Sequence, residues 1–316
     1  MRSPRCDPIR VRAGVSEIRR IGFAGTSERA ADTLRRLHAR DELEVAIVLS
    51  QPPRPAGRGR ATAPPPVAVA ARALDLPVLQ PERPLDALPA LASARVAAFA
   101  LVAYGGLVPR PLLELAPWFN VHPSLLPRWR GAAPIERSLM AGERESGVAV
   151  MLLVEALDAG PIAALERFDV PADADAGWVY EQALGRAIDP LVAALTGDAV
   201  PTVPQVGEAT YADRILAADR LLDPARRAGA LHDQVRALSP SIGARLALGD
   251  ALFTIWRARV DPAVVPQGVL SVVDGALLLG CLDGSLELCE LQPPGKARMP
   301  AGAWLRGVRG ALPEVS

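Results

Sequence analysis

The chain has 316 residues, half of them apolar, with 35 Lys+Arg against 35 Asp+Glu. That length supplies a large core for one big domain or two ordinary ones, and the zero net charge leaves any polyanion binding to local patches. Cys6, Cys281 and Cys289 form no CxxC, which points away from a disulfide framework or zinc site and toward a reducing cytoplasm. No apolar run reaches the roughly 18 residues of a membrane helix.

Residues 1–17 carry arginines but no apolar signal core, and read as a disordered extension. "RRIGFAGT" (Arg19–Thr26) is a strand feeding the helical spacing of "ERAADTLRRLHAR". "LEVAIVLS" (Leu43–Ser50) is a second strand. Prolines exclude helix or central strand from "QPPRPAGRGRATAPPP" (Gln51–Pro66), a long basic loop of the kind that carries function. "VAVAARALDL" is a helix, and "RVAAFALVA" (Arg95–Ala103) is a strand covered on both faces. "WFNVH" (Trp118–His122) is a strand, "APIERSLMAG" a short helix, Gly147–Glu155 a strand and Trp178–Leu195 a long helix. Alternating strands and helices predict an α/β fold, a doubly wound and mainly parallel sheet.

After Leu195 the texture becomes polar and proline-bearing. The predicted division is an extension over 1–17, a catalytic domain over 18–196, a linker over 197–215 and a second unit over 216–316. The second unit opens with a helix near Pro224–Leu238. Gly249-Asp250, Asp274-Gly275 and Asp283-Gly284 then punctuate short alternating strands as hairpin signals. It reads as a small β unit, an open barrel, with Cys281 and Cys289 as buried thiols. His38 and His232 lie on helical segments as surface or packing residues.

The first βα turn holds Gly22 and Gly25 without GxGxxG, and no P-loop motif occurs, so neither a dinucleotide nor a phosphate cradle is supported. On a strand, Asn120 and His122 project to one face, and Pro123 ends that strand where open parallel sheets bind ligands. The next strand leads into "ALDAGP", which presents Asp158 beside Gly160. Singly, each is an ordinary structural residue. Together, an amide, an imidazole and a carboxylate suit acyl-group transfer without a covalent enzyme intermediate. The Asn donates to a developing oxyanion, the His donates too or shuttles a proton, and the Asp fixes the imidazole and supports its charged form.

"NVHPSLLPRWRGAAPI" (Asn120–Ile135) resembles, nearly letter for letter, the signature of the methionyl-tRNA formyltransferase family. "FAGT", "QPPRPAGRGR", "VAYGGLVP" (Val102–Pro109), "LDAGPI", "YADRI" and "LQPPGKARM" (Leu291–Met299) follow in that family's order, so the resemblance runs from about Ile18 to the C-terminus. It implies 10-formyltetrahydrofolate as formyl donor and the amino group of methionyl initiator tRNA as acceptor, in direct transfer through a tetrahedral intermediate, with no metal. By the same resemblance Asn120, His122 and Asp158 are catalytic. Ser124, Leu125, Leu126 and Pro127 face the folate, with Tyr104 and Gly105 flanking its pterin pocket. Arg54, Arg58 and Arg60 of the loop and Lys296, the sole lysine, contact tRNA. The C-terminal unit corresponds to an oligonucleotide-binding-like barrel, and the protein is expected to be a cytoplasmic monomer without membrane contact.

Ser27 and Arg29 stand where the family has Pro and Phe, Pro53 replaces an Asp, and Ala61 replaces a lysine. A formyltransferase acting on a sugar-nucleotide amine, or a non-catalytic RNA-binding protein on the same fold, are the alternatives.

Overall fold

A computed structural model describes residues 18–55 and 62–315. The expected N-terminal extension and the tip of the arginine loop, with Arg58, Arg60 and Ala61, lie outside them.

The N-terminal unit is built on β1 (Arg19–Gly25), β2 (Leu43–Leu49), β3 (Val78–Leu79), β4 (Ala98–Val102), β5 (Trp118–His122), β6 (Glu145–Leu152) and β7 (Ile162–Asp169). Its helices include α1 (Glu28–His38), α2 (Pro66–Ala73), α3 (Pro134–Met140) and α4 (Ala176–Thr196). The sheet order is β7-β6-β5-β4-β1-β2-β3. β5, β4, β1, β2 and β3 pair in parallel, whereas β6 runs antiparallel to both β5 and β7.

Alternation sorts the side chains. Ile21, Phe23, Ala98, Ala100, Phe119, Val121, Val148 and Val150 point into one core with α1 and α4. Ala24, Leu49, Phe99, Leu101 and Trp118 fill the other face, where the Phe99 and Trp118 rings stack with centroids 4.0 Å apart. Each large apolar side chain so buried contributes about 1.5–3 kcal/mol. Helix α4 buries Val179, Ala183, Ala187, Leu191 and Leu195, one stripe at four-residue spacing, and its N-cap Asp175 accepts the Trp178 N–H at 2.9 Å.

Three features differ from the sequence reading. The strand expected to reach Glu155 stops at Leu152, because the chain then folds back on itself. β7, the sheet's edge, was not expected: its partly exposed, alanine-containing run lacks a strong strand pattern. The long loop is anchored by a two-residue ladder, Arg54↔Ala63 and Pro55↔Thr62.

In the second unit, α5 (Ala228–Leu238) packs on β8 (Ala244–Leu248), β9 (Ala251–Asp261), β10 (Leu270–Val273), β11 (Ala276–Cys281) and β12 (Gly284–Gln292). These form an antiparallel sheet, order β8-β9-β12-β11-β10, in a barrel-like unit with its own core. Two of the three hairpin dipeptides, Gly249-Asp250 and Asp274-Gly275, are the turns themselves; at the third the turn is Leu282-Asp283, and Gly284 already pairs with Cys281 as the first residue of β12. Asp274 and Gly275 have φ of 49° and 82°, the double left-handed pair of a type I′ turn. Cys281 is buried and Cys289 half-buried, both as free thiols, and burial pushes the Cys281 thiol up to about 11. Arg137 of α3 joins the units through a two-pronged pair with Asp219 at 2.7 and 3.0 Å.

The two departures after "FAGT" have local explanations. The Ser27 hydroxyl caps α1 by accepting the Ala30 N–H. The Arg29 guanidinium lies 3.4 Å from the Tyr180 ring centre, and the Tyr180 hydroxyl donates to the Glu136 carboxylate at 3.2 Å. Burial raises the Glu136 carboxyl above its ordinary range, with Arg29 and Tyr180 opposing the shift. A raised carboxyl favours folding below its unfolded value and loses that advantage as pH rises through the folded value. Arg29→Ala removes the opposing cation, so its loss of Tm is expected to be larger at pH 8 than at pH 5. Thermal unfolding at the two pH values checks this; an equal loss would make the contact one of packing alone.

Candidate active site

Asn120 and His122 are two residues apart on β5, so both leave the face opposite α4, while Phe119 and Val121 enter the core. In register they sit beside Met151 and Ala149 of β6. Because β6 is antiparallel, its carboxyl end lies beside the start of β5, not at the parallel strands' carboxyl end. Asp158 reaches the two side chains through a loop that doubles back. Gly160 permits this fold-back: an added Cβ there would lie 1.7 Å from the Leu152 carbonyl oxygen.

The trio converges in a dry setting, with Asn120, His122 and Asp158 only 7%, 4% and 8% exposed. His122 Nε2 is 2.9 Å from the Trp129 carbonyl oxygen. A carbonyl only accepts, so Nε2 carries a proton. Nδ1 then faces Asp158 Oδ2 at 3.6 Å. That same Oδ2 accepts the Gly131 N–H at 2.8 Å, and Oδ1 takes a long 3.4 Å bond from Asn120 Nδ2. Asp158 and Trp129 both hold left-handed backbone, φ 46° and 62°. Such positions cost about 1–3 kcal/mol each and persist where the surroundings over-determine them.

The other expected site residues are distributed unevenly. The Ser124 hydroxyl closes its own loop by donating to the Arg128 carbonyl at 2.7 Å. Ser124, Leu126 and Pro127 are buried, and Leu125 is half-buried over Gly147. The Tyr104 ring is core, packed with Phe99, Leu101 and Trp118, and burial raises its phenol above the ordinary value. Its carbonyl accepts the Thr26 hydroxyl at 2.6 Å, while the next residue, Gly105, is exposed with φ 74°. Arg54 and Lys296 are exposed. His232 is buried against Asp173 at 3.5 Å, remote from the trio in its contacts.

Four groups were missed by the sequence reading: the Trp129 carbonyl, the Gly131 N–H, Thr210 and Gln205. Thr210 Oγ1 accepts the Trp129 N–H at 2.9 Å, and Tyr211-Ala212 pairs in parallel with Arg130-Gly131. Gln205 binds both Arg130 and the Asp158 loop. A polar linker gives no periodic signal that would announce these contacts.

Residues 19–195, which hold this Asn-His-Asp cluster on the α/β sheet, match the formyl transferase family, and residues 214–309, in the separate antiparallel unit, match the formyl transferase C-terminal domain, so the chain is a formyl transferase. The chain is 40% identical over 301 residues to a methionyl-tRNA formyltransferase of Clavibacter michiganensis subsp. michiganensis, covering 92% of this chain and 97% of that protein. A Thermus thermophilus methionyl-tRNA formyltransferase is 38% identical over 296 residues, covering 91% and 96%. The chain belongs to the methionyl-tRNA formyltransferase family. The fold is also that of HypX from Aquifex aeolicus, solved in complex with tetrahydrofolic acid, with TM-score 0.66 at 18% identity over 92% of this chain and 47% of that one. Among the described residues, no helix is long and apolar enough to cross a membrane.

Proposed function

We propose that this enzyme transfers a formyl group from 10-formyltetrahydrofolate to the amino group of methionyl initiator tRNA, acting as a cytoplasmic monomer. The observation that carries the reading is the convergence of Asn120, His122 and Asp158 in one desolvated cluster, in a chain whose relatives bear that activity in their names. The folate supplies the formyl group. The methionyl amine forms the new C–N bond, the bond from the formyl carbon to the folate nitrogen breaks, and the amine's proton ends on that nitrogen. Asn120 is the donor to the developing oxyanion, its bond to Asp158 being long enough to yield. With Nε2–H held by the Trp129 carbonyl, the His122–Asp158 pair is assigned to proton movement more than to the oxyanion. Exposed Leu107 and Leu157, on the loops that follow β4 and β6, offer apolar edges suited to a flat ring.

The formyl-transfer site belongs to the unit that starts at Ile18, and the C-terminal unit serves tRNA contact. A cavity of about 360 Å³ between the units supports that division. Arg236, Arg257, Arg259 and Arg298 line it beside Trp256, with Asp173 and Asp175; Arg236, Arg259 and Arg298 are each paired with a carboxylate, Asp233, Glu287 and Glu290, while buried Arg236 Nη2 lacks a hydrogen-bond partner. Arginine forks suit phosphate oxygens. Arg54 and Lys296, both exposed, are assigned to tRNA contact, and Arg58, outside the described residues, to the acceptor end.

The test is to supply 10-formyltetrahydrofolate with either charged initiator tRNA or a sugar-nucleotide amine and look for formyl product. Formyl-methionyl product is expected, with activity at limiting tRNA falling steeply as salt rises. Arg58→Ala is expected to impair tRNA formylation strongly and Arg58→Lys to restore it only partly, since a lysine lacks the planar fork. Folate affinity should not change. Product from the sugar amine alone would overturn the assignment.

A further inference from the structure

The stretch between the two pattern matches, residues 196–213, is more than a connector. Val203 pairs with Ile162 at the start of β7 through both backbone bonds, 2.8 and 2.9 Å. Thr210 accepts the Arg130 N–H on its carbonyl at 2.9 Å and the Trp129 N–H on its hydroxyl. Ala212 accepts the N–H groups of Ala132 and Ala133 at 2.9 and 3.1 Å. One strip therefore touches both loops from which the site is made: the one carrying Trp129 and Gly131, and the one carrying Asp158.

Gln205 sits between those loops and uses its whole carboxamide. Nε2 donates to the carbonyls of Asp158 at 2.7 Å and Gly160 at 2.8 Å. Oε1 accepts from Arg130 Nε and Nη2 at 3.1 and 2.6 Å. An amide has two donors and one oxygen with two lone pairs, so every capacity is filled. These bonds fall on the backbone of Asp158 itself, the residue held left-handed at φ 46°, and tie it to Arg130, whose neighbour Gly131 donates to the same aspartate's carboxylate. We infer that Gln205 is a positioning residue for formyl transfer: it fixes the Asp158 backbone so that the carboxylate meets His122 Nδ1 and the Gly131 N–H together. The inference rests on the catalytic assignment of Asp158 made above.

No other side chain among the described residues donates a hydrogen bond to the Asp158 carbonyl. Glutamate has nearly the shape of glutamine and keeps the acceptor for Arg130, but turns an oxygen toward two carbonyls. Gln205→Ala and Gln205→Glu are therefore both expected to lower kcat by about 10²-fold, the scale for a misplacement of about 1 Å at a reacting group. KM for tRNA and for folate should stay close to wild type. The pH profile of kcat should move in the same direction as in Asp158→Asn, a change that lost packing alone would not produce. The near-isosteric glutamate variant keeps the test open if the alanine variant folds poorly, with circular dichroism and Tm recorded for each. A normal kcat and pH profile in a folded Gln205 variant, beside a crippled Asp158→Asn, would overturn the inference and leave the catalytic trio standing. A rise in KM with kcat intact would overturn it equally. An active Asp158→Asn enzyme would instead remove the reading on which the inference stands.

Discussion

Asn120→Ala is expected to lower kcat by about 10²- to 10³-fold, the cost of deleting one donor aimed at a developing oxyanion, and to leave the fold intact. The amide faces the site side of the sheet, and its one intramolecular bond in the described structure is the 3.4 Å contact to Asp158. Little of the protein's stability is lost with it. His122→Ala should fall by at least about 10²-fold, as for a general acid or base. Asp158→Asn should be comparably severe for a specific reason. The substituted amide can keep an oxygen toward the Gly131 N–H, but its NH₂ then confronts Asn120 Nδ2, donor against donor. The alternative orientation surrenders the Gly131 bond. In either case the carboxylate beside His122 Nδ1 is gone. Single-turnover formylation measures the chemical step directly, and Tm reports the fold. Near-normal single-turnover rates in Asn120→Ala or His122→Ala would refute the trio; an Asp158→Asn protein altered only in Tm would make Asp158 a turn residue.

The second large effect is steric. Gly160→Ala places a methyl group 1.7 Å from the Leu152 oxygen and 2.9 Å from its carbonyl carbon, both main-chain atoms in β6. Neither can swing aside as a side chain would, so the fold-back that carries Asp158 must open. A loss of about 1–3 kcal/mol is expected from the overpacking, with kcat down by about 10²-fold as Asp158 withdraws. Gly185→Ala is the control. That glycine lies within α4, where an added Cβ meets nothing within 4 Å, so the same change should stabilise by about 0.5–1 kcal/mol with kcat unaltered. Denaturant titration and kinetics on the pair check both signs. An active, stable Gly160→Ala enzyme would show that the loop tolerates a wider path to the site.

What could be read from the chain, and what could not, divides by the range of the interactions. Alternation on a strand is local, and it sufficed to place Asn120 and His122 on one face. The left-handed preference of Asp274-Gly275 is local as well, and the hairpin stands where the dipeptide indicated. The direction of β6 is not local. A residue run carries no mark of whether its neighbour runs with it or against it, so the route by which Asp158 arrives was misread even though its meeting with His122 was expected. β7 is legible only once its partner β6 is known. Tyr104 shows the same limit: the resemblance puts it beside the folate pocket, but that its ring packs against Trp118 and Phe99 is decided by residues distant in the chain. Gln205 is the extreme case, since the bonds that define it span 45 and 47 residues.

The strip from Val203 to Ala212 also sets where this chain can be cut and rejoined. Judged by secondary structure alone, a hybrid that takes its C-terminal unit from a homologue is spliced at Gly197, after the long helix ends. Such a graft would bring in foreign partners for Ile162, Arg130 and the Asp158 carbonyl, and with them a foreign fit to this site. A splice after Ala212 keeps the home strip on its own loops, and exchanges only what lies beyond, including Asp219 and its clasp on Arg137. The boundary that matters for shuffling these units is therefore drawn by hydrogen bonds well past the point where the first unit's secondary structure stops.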